Sequence, residues 1–395
     1  MSVMKWVRIG VALIAVAAIG FSVLFFLVTP GRIERSQNRI VPVALNITAA
    51  AQALQATLDV ADMHADSLLW KRDLLARSGR GHVDLPRLVE GHYALQVFSS
   101  VTKSPKGMNY DANGANSDTI TLLAMVDLQP PRTWFSLFDR SLYHADKLQR
   151  FIARSGGRLR LIRTPADIDR LLADRRNGDV AVGALLSIEG LHDLEGDIDN
   201  LDELYAAGFR MAGLTHFFDN DIAGSMHGIA KGGLTPLGRD AVRRMEALGM
   251  VVDVAHASHA AVADVLAMAT RPVVSSHGGV QATCKINRNL TDDEVKGIAR
   301  TGGVIGIGYW AGAVCSTTPQ AVATAIVHVR DLVGIEHVGL GSDFDGSTTT
   351  GFDASQVAAV TQALLDAGFS EDDVRKVMGG NVLRVLHAGL APPAP

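Results

Sequence analysis

The sequence predicts an α/β protein, a (β/α)8 TIM barrel with an N-terminal transmembrane helix. Short runs rich in Val, Ile and Leu alternate eight times with amphipathic stretches, which is typical of parallel strands covered by helices. The 395 residues suit one barrel, since this fold can occupy a whole chain of that length. An uncharged apolar run at residues 9–28 precedes all of the strands.

The composition excludes several classes of protein. Lys and Arg total 37 against 41 Asp and Glu, and a general nucleic-acid binder would need a basic stripe. Hydrophobic residues make up 48% and charged residues 20%, which excludes intrinsic disorder. The two cysteines, Cys284 and Cys315, are too few for a disulfide-stapled small fold or a four-thiolate zinc site. Whether they pair stays open.

The N-terminal run predicts a membrane anchor. Its 20 uncharged residues span the ~30 Å hydrocarbon core at about 1.5 Å per residue. It is longer than the apolar part of most signal peptides, and no good small-residue cleavage site follows it. We expect a retained helix, with the short tail inside and the large domain in the periplasm or outside the cell; a cleaved signal is the alternative.

Eight strands are predicted after this helix. They are residues 57–64, 93–99, 180–188, 210–215, 250–255, 272–276, 303–309 and 337–342. Thr164, Thr235, Thr291 and Ser370 precede predicted helices as capping residues. An open doubly wound sheet is the rival fold, but it usually carries a glycine-rich phosphate turn after its first strand. No such turn follows residues 57–64.

The chain is predicted to have three parts. Residues 1–40 are the anchor and a linker, residues 41–387 form the barrel domain, and residues 388–395 form a flexible tail. Within the barrel domain, the segment 103–140 has a weak pattern and is predicted to be an extended loop over the barrel mouth that shapes the substrate site.

Imidazoles and carboxylates stand at the carboxyl ends of the predicted strands. They are His64, Asp66, Glu189, His216, His256, His277 and Asp343. The carboxyl ends of barrel strands converge on one mouth, so these side chains are expected to share a pocket. Packed carboxylates repel one another and resist desolvation, and a bound cation removes that cost. The pattern therefore predicts a metal site.

The spacing suggests how two ions are held. His64 and Asp66 are two apart on a strand and share a face, so both can bind one ion. His256 and His277 come from neighbouring strands and can bind a second, with Glu189 bridging the two. These ligands suit Zn²⁺, and Mn²⁺, Co²⁺ or Fe²⁺ stay open as substitutes. Asp62 lies one layer deeper, where a supporting role is expected.

Seven motifs, in this order, resemble the renal, or membrane, dipeptidase family of metallopeptidases. They are DMHAD (62–66), SIEG (187–190), LTH (214–216), VAHAS (254–258), SSHGG (275–279), RNL (288–290) and GSDFDG (341–346). The closing GGNVLRVL (379–386) is also similar to that family's last helix.

The resemblance implies a binuclear zinc hydrolase that cleaves dipeptides with a free C-terminal carboxylate by attack of a metal-bridging hydroxide. Carried over by position, His216 would face the scissile carbonyl, Arg288 would bind the terminal carboxylate and Asp343 would act as acid and base. Tyr309 matches more loosely as a residue that touches substrate.

Two other functions compete with this interpretation. A related amidohydrolase would keep the metal centre but act on a β-lactam, a lactone or an N-acyl-amino acid. A non-catalytic barrel tethered to the membrane would need a broken ligand set, which this sequence does not have. The preferred side chains of the substrate and the existence of a homodimer stay open.

Overall fold

The computed structural model describes residues 3–391, and its centre is a closed barrel of eight parallel strands. The strands in chain order are β1 (Arg39–Ile40), β2 (Val60–Ala65), β3 (Tyr93–Val101), β4 (Leu159–Leu161), β5 (Val182–Glu189), β6 (Phe209–Gly213), β7 (Val251–Asp253), β8 (Val273–Ser275), β9 (Val304–Ile307), β10 (Val338–Leu340) and β11 (Thr349–Thr350). The barrel runs β3-β2-β10-β9-β8-β7-β6-β5 and closes by pairing of β3 with β5. The short β4 adds to β5, while β1 pairs with β11 outside the barrel.

Helices follow the strands and cover the barrel. They are α1 (Val3–Val23), α2 (Thr29–Gln37), α3 (Ala49–Gln55), α4 (Leu85–Glu90), α5 (Ile120–Val126), α6 (Leu137–Arg154), α7 (Pro165–Arg176), α8 (Asn200–Ala207), α9 (Pro236–Leu248), α10 (His259–Met268), α11 (Asp292–Arg300), α12 (Ala311–Val314), α13 (Pro319–Val333), α14 (Ala358–Asp366), α15 (Glu371–Arg375) and α16 (Asn381–Leu390). A π-helical turn, Leu24–Val28, joins α1 to α2. Because α16 contacts β2, β7, β9 and β10, it crosses the amino end of the barrel and closes it.

The eight predicted strands and the barrel are confirmed. The strand ends differ by up to three residues, while β1, β4 and β11 were not predicted. The predicted caps are present as well: Thr164 and Thr291 form capping boxes, and Thr235 and Ser370 accept the amide hydrogens of Gly238 and Asp373.

The N-terminal helix is long and apolar enough to cross a membrane over residues Met4–Gln37. Its last part is not a free linker, which corrects the predicted division after residue 40. Glu34 is buried in α2 and pairs with Arg72 and Arg80, and Ser347 N donates to Asn38 Oδ1 over 2.9 Å. Residues 29–40 therefore belong to the packed barrel domain.

The tail prediction also needs correction at its start. Helix α16 continues to Leu390, which is buried against the barrel base. Arg271 donates to the carbonyl oxygens of Gly389 and Ala391 and so satisfies the end of this helix. The rest of the predicted tail, residues 392–395, lies outside the described residues.

The segment 103–140 was predicted to be an extended loop over the barrel mouth. It does lie over the mouth, but it is not an extended loop. It contains α5, a 3-10 turn at Pro131–Trp134 and the start of α6. Arg140 is fully buried and holds the segment together by donating to Thr102 O, Thr133 O and Asp118 Oδ2. Nearby on the same rim, Cys284 and Cys315 form a disulfide, which settles the pairing that the sequence left open.

Candidate metal centre

Glu189 lies at the centre of the barrel mouth. It is the last residue of β5 and is 4% exposed. Four imidazole nitrogens surround one of its carboxylate oxygens. The distances from Glu189 Oε1 to Nε2 are 3.0 Å for His256, 3.3 Å for His277, and 3.6 Å for both His64 and His216. The barrel thus brings together residues that are far apart in the sequence.

A second group of ligand-type atoms lies beside the first. Atoms of His64, Asp66 and Asp343 lie within 4.8 Å of one another, and all three residues are buried. His64 Nε2 is 3.4 Å from Asp66 Oδ1. Gly346 permits this crowding, since a Cβ there would lie 2.0 Å from Asp343 Oδ1. His64 belongs to both groups, because its ligand atom also lies within 4.8 Å of those of Glu189 and His277.

Several polar atoms of the cluster have no hydrogen-bond partner although they are buried. They are His64 Nε2, Asp66 Oδ1 and Glu189 Oε2. Buried polar atoms are almost always paired, and exceptions call for an explanation. Converging imidazole and carboxylate acceptors that lack donors are suited to a cation of the zinc class. The residues present therefore fit a metal centre.

The electrostatics of the protein without metal show the strain that a cation would relieve. Burial, together with the charge of Glu189, raises the pKa of Asp66 to about 6. Burial also raises the pKa of Asp343 well above its usual range. Burial lowers the pKa of His256 and of His277, and the charge of Arg288 lowers both further. These two imidazoles are therefore neutral, as metal ligands must be.

Buried carboxylates support the candidate ligands from below, as expected for Asp62. Asp62 accepts hydrogen bonds from His64 N, Gln96 Nε2 and Ser342 N at 3.0, 3.0 and 2.9 Å. Asp253, which the sequence analysis missed, does the same on the other side. It accepts from Ala255 N and Ser276 N at 2.9 and 2.8 Å, next to His256 and His277. Both acids therefore fix the backbone that carries the ligands.

An open cavity of about 850 Å³ lies above this cluster. Asp66, Glu189, His216, His256, Arg288 and Asp343 all line it. Arg288 is buried and donates to His277 O over 2.8 Å, with its guanidinium 5.7 Å from the Trp310 ring. His216 Nδ1 is 3.1 Å from Lys103 O, which fixes the direction of its ring. The cavity is large enough for a small organic substrate.

The structure does not support the prediction that Tyr309 touches substrate. Its ring packs against Phe344 and Phe352, with centroids 5.4 and 5.3 Å away, and is fully buried. Trp310 lines the cavity instead. Neighbouring side chains in extended backbone point to opposite sides, which places Trp310 at the cavity and Tyr309 in the core.

Most of the upper wall of the cavity could not be predicted from the sequence. Tyr110, Ile120 and Leu123 come from the segment over the mouth, and Ile33 and Gln37 come from α2. Only the general placement of the segment 103–140 was predictable. Nothing in the pattern of residues 29–40 indicated that the end of the N-terminal helix would line the same cavity.

A closed parallel barrel with clustered imidazoles and carboxylates at its carboxyl rim is typical of metal-dependent hydrolases. The sequence model of the membrane dipeptidase family, peptidase family M19, matches residues 48–390. The chain belongs to this family and is a metallo-dipeptidase, as the resemblance of its motifs implied.

Comparisons with individual proteins agree. Dipeptidase tcpJ of Claviceps purpurea is 33% identical over 317 residues, which is 78% of this chain and 69% of that protein. The crystal structure of dipeptidase AC, a metallopeptidase of family M19, superposes with a TM-score of 0.70 at 25% identity and covers 85% of this chain and 99% of its own. The probable dipeptidase PvdM of Pseudomonas aeruginosa has the same fold, with a TM-score of 0.73 at 22% identity and coverage of 86% and 98%.

Proposed function

We propose that this protein is a membrane-anchored dipeptidase whose centre holds two zinc ions. The observation that carries the proposal is the position of Glu189, whose one carboxylate oxygen lies within 3.6 Å of four imidazoles while the other is buried without a partner. A carboxylate in that position is suited to contact two ions at once.

We propose that the ligands divide between the two ions as the resemblance of the motifs implied. His64 and Asp66 would hold one ion, His256 and His277 would hold the other, and Glu189 would bridge them. When bound, two zinc ions supply a Lewis acid and lower the pKa of a coordinated water towards neutrality. Mn²⁺, Co²⁺ or Fe²⁺ would satisfy the same donors.

Arg288 and His216 would position the substrate. The buried guanidinium of Arg288 offers planar donors to the free carboxylate of a dipeptide, because a carboxylate accepts them in pairs. His216 Nε2 faces Glu189, and His216 Nδ1 donates a hydrogen bond to Lys103 O. His216 would donate from Nε2 to the oxygen of the scissile carbonyl as negative charge develops there, a contact worth roughly 10²–10³ in rate.

Asp343 would move the proton. The attacking water oxygen bonds to the carbonyl carbon, and Asp343 accepts the proton that the water loses. As the carbon–nitrogen bond breaks, Asp343 returns this proton to the leaving amine. Burial raises the pKa of this carboxyl, which suits a group that must both take and release a proton near neutral pH.

We further propose that α1 anchors the enzyme in a membrane, with the barrel in the periplasm or outside the cell. None of the residues in the most apolar part of the helix is buried. Resistance of the full chain to alkaline carbonate extraction from membranes is expected, and release into the soluble fraction would contradict the anchor.

The function is tested by substrate and metal together. The full chain in detergent, loaded with zinc, is expected to bind two ions and to release both amino acids from dipeptides in a panel that includes D-residues at the C-terminus. The same panel with the C-terminus amidated is the matched control, and these compounds should be poor substrates because Arg288 loses its partner. Turnover of β-lactams or lactones without turnover of dipeptides would overturn the proposal.

A further inference from the structure

The N-terminal helix passes without interruption into the wall of the active-site cavity. Val28 ends the apolar run, and Ile33 and Gln37 of α2 line the cavity beside Asp66 and Asp343. At about 1.5 Å per residue, Ile33 lies roughly 8 Å along the helix axis from Val28. The cavity therefore opens close to the level at which the apolar helix ends.

The join between helix and barrel is rigid. Arg72 Nε lies 2.6 Å from Glu34 Oε1, and Arg80 pairs with the other oxygen of the same buried carboxylate. Lys71 Nζ donates to Phe26 O over 3.2 Å. The chain then pairs with the rim, since Val41 N donates to Thr350 O over 2.8 Å. These contacts fix the barrel mouth relative to α1, with no flexible linker between them.

Exposed apolar side chains concentrate around the same mouth. Among the described residues outside the N-terminal helix, the large exposed apolar side chains are Val41, Met108, Leu122, Leu128, Phe135, Val180 and Ile229. All but Val180 lie on segments that build the carboxyl rim. Leu122 and Leu128, on or just after α5, are 59% and 58% exposed, and Phe135 is 82% exposed. Since α5 packs against α2, this apolar surface continues that of the anchor helix.

The charges beside the helix end are positive. Arg32 and Arg35 are exposed on α2, and Lys71 is exposed beside Phe26. The acid of α2, Glu34, is buried in its ion pairs. Exposed cations at the end of an apolar helix lie where lipid phosphates are found, and they favour an anionic surface.

We propose that the mouth of the barrel rests on the membrane that α1 crosses, with Leu128 and Phe135 inserted into the lipid headgroup layer. Substrate and products then exchange along the membrane surface. The proposal rests on the anchor and does not depend on which bond the enzyme cleaves. A folded domain that presents several exposed apolar side chains next to its own anchor buries them in the interface, as amphipathic helices do.

Single labelled cysteines test this contact in the full chain. The two native cysteines form a disulfide, so a nitroxide reagent reacts with the introduced thiol alone. Leu128→Cys and Phe135→Cys are the test variants, and Val180→Cys, 53% exposed and before β5, is the matched control at the other end of the barrel. Ile14→Cys, on the exposed face of α1, reports on the anchor itself.

Each labelled protein is reconstituted in vesicles of equal parts phosphatidylcholine and phosphatidylglycerol, and collision with oxygen is compared with collision with a water-soluble nickel complex. The oxygen-to-nickel ratio at positions 128 and 135 is expected to be several-fold higher than at position 180 and to lie between the ratios at positions 180 and 14, as headgroup-layer insertion requires. A high ratio at position 14 with water-like ratios at 128 and 135 would overturn the proposal while leaving the anchor in place. A water-like ratio at position 14 would contradict both the proposed anchor and the contact of the barrel mouth with the membrane. Neither outcome depends on dipeptidase activity, which is assayed separately on soluble dipeptides.

Discussion

Asp343 is the residue on which the proposed proton transfer depends. Its backbone adopts a φ of +57°, a conformation that few residues other than glycine take up, and its carboxylate lines the cavity within 4.8 Å of ligand-type atoms of His64 and Asp66. A strained backbone that aims a buried acid into a cavity is typical of an active site.

Asp343→Asn should keep the metal content unchanged and lower kcat by at least about 10², the range expected for a general acid–base group. The amide cannot accept the proton of water, while its size and shape remain. Metal analysis and dipeptide turnover on the same preparation measure the two effects. The exposed Asp331→Asn is the matched control and should behave as wild type. Wild-type turnover in Asp343→Asn would contradict the assigned role.

Zinc affinity should fall with pH below about 6. In the metal-free protein, burial and the charge of Glu189 raise the pKa of Asp66 to about 6, so below that pH zinc must displace a proton from its ligand. Each displaced proton weakens binding about tenfold per pH unit. Competition with a chelator of known affinity from pH 5 to 7.5 measures this dependence. An affinity that stays constant across that range would contradict the ligand assignment.

Residue types at strand ends were the most predictable part of the site. All five proposed ligands, His216 and Asp343 occur where a short apolar strand stops, and the barrel brings all of them together. Tyr309 lies in the core and not at the cavity, because one residue of register decides which face of the chain a side chain takes. Asp253 was missed because its acceptor role depends on the backbone of Ser276 on a neighbouring strand.

At the level of elements, the loop after β10 is tied to the segment after β2 by a buried ion pair. Asp345 is fully buried, pairs with Arg72 and accepts from Ser67 Oγ and His82 N at 2.5 and 2.6 Å. Burial alone would raise the pKa of Asp345, but Arg72 and His82 outweigh it and hold that pKa below its usual value. The pair holds Asp343 and Asp66, which flank these segments, at a fixed separation.

Asp345→Asn should lower the free energy of unfolding at pH 7 by about 3–5 kcal/mol, because it leaves the buried Arg72 without its charge partner. A depressed carboxyl pKa stabilises the fold above the unfolded value, and this contribution is lost as the pH falls through the folded value. The difference from wild type should therefore narrow below about pH 4. Denaturant unfolding in detergent at pH 7 and at about pH 3 measures it.

The matched control is Glu90→Gln, which removes an ion pair with Arg77 whose side chains are about half exposed, at 51% and 47%. Exposed pairs of this kind contribute about 0–1 kcal/mol. If the two variants lose the same free energy of unfolding, the buried ion pair contributes no more to stability than the exposed one.

Elements with strong periodicity or caps were predictable, and those that depend on tertiary contacts were not. The capping boxes at Thr164 and Thr291 mark helix starts by local chemistry alone. By contrast, α5 is only seven residues long, and the packing of α2 depends on Glu34 meeting arginines about 40 residues later. No local pattern reports such long-range pairs.

For the whole molecule, the buried acceptors at the mouth lead us to expect that a bound metal stabilises the fold. Zinc that binds the native state and not the unfolded chain stabilises it by about 4 kcal/mol at a free concentration of 1,000 times Kd. Chelation should therefore lower the thermal midpoint, and added zinc should restore it. In Glu189→Gln, which lacks the proposed bridging carboxylate, chelation should lower the thermal midpoint less than it does in the wild type. A midpoint that is insensitive to chelator would contradict a metal centre in the folded protein.

The central claim is that two ions lie on either side of Glu189. Anomalous diffraction from crystals of the zinc-loaded protein, collected above and below the zinc edge, tests it most directly. We expect two peaks about 3.5–4 Å apart, one beside His64 and Asp66, the other beside His256 and His277, with the Glu189 carboxylate between them. A single peak, or peaks away from Glu189, would contradict the account.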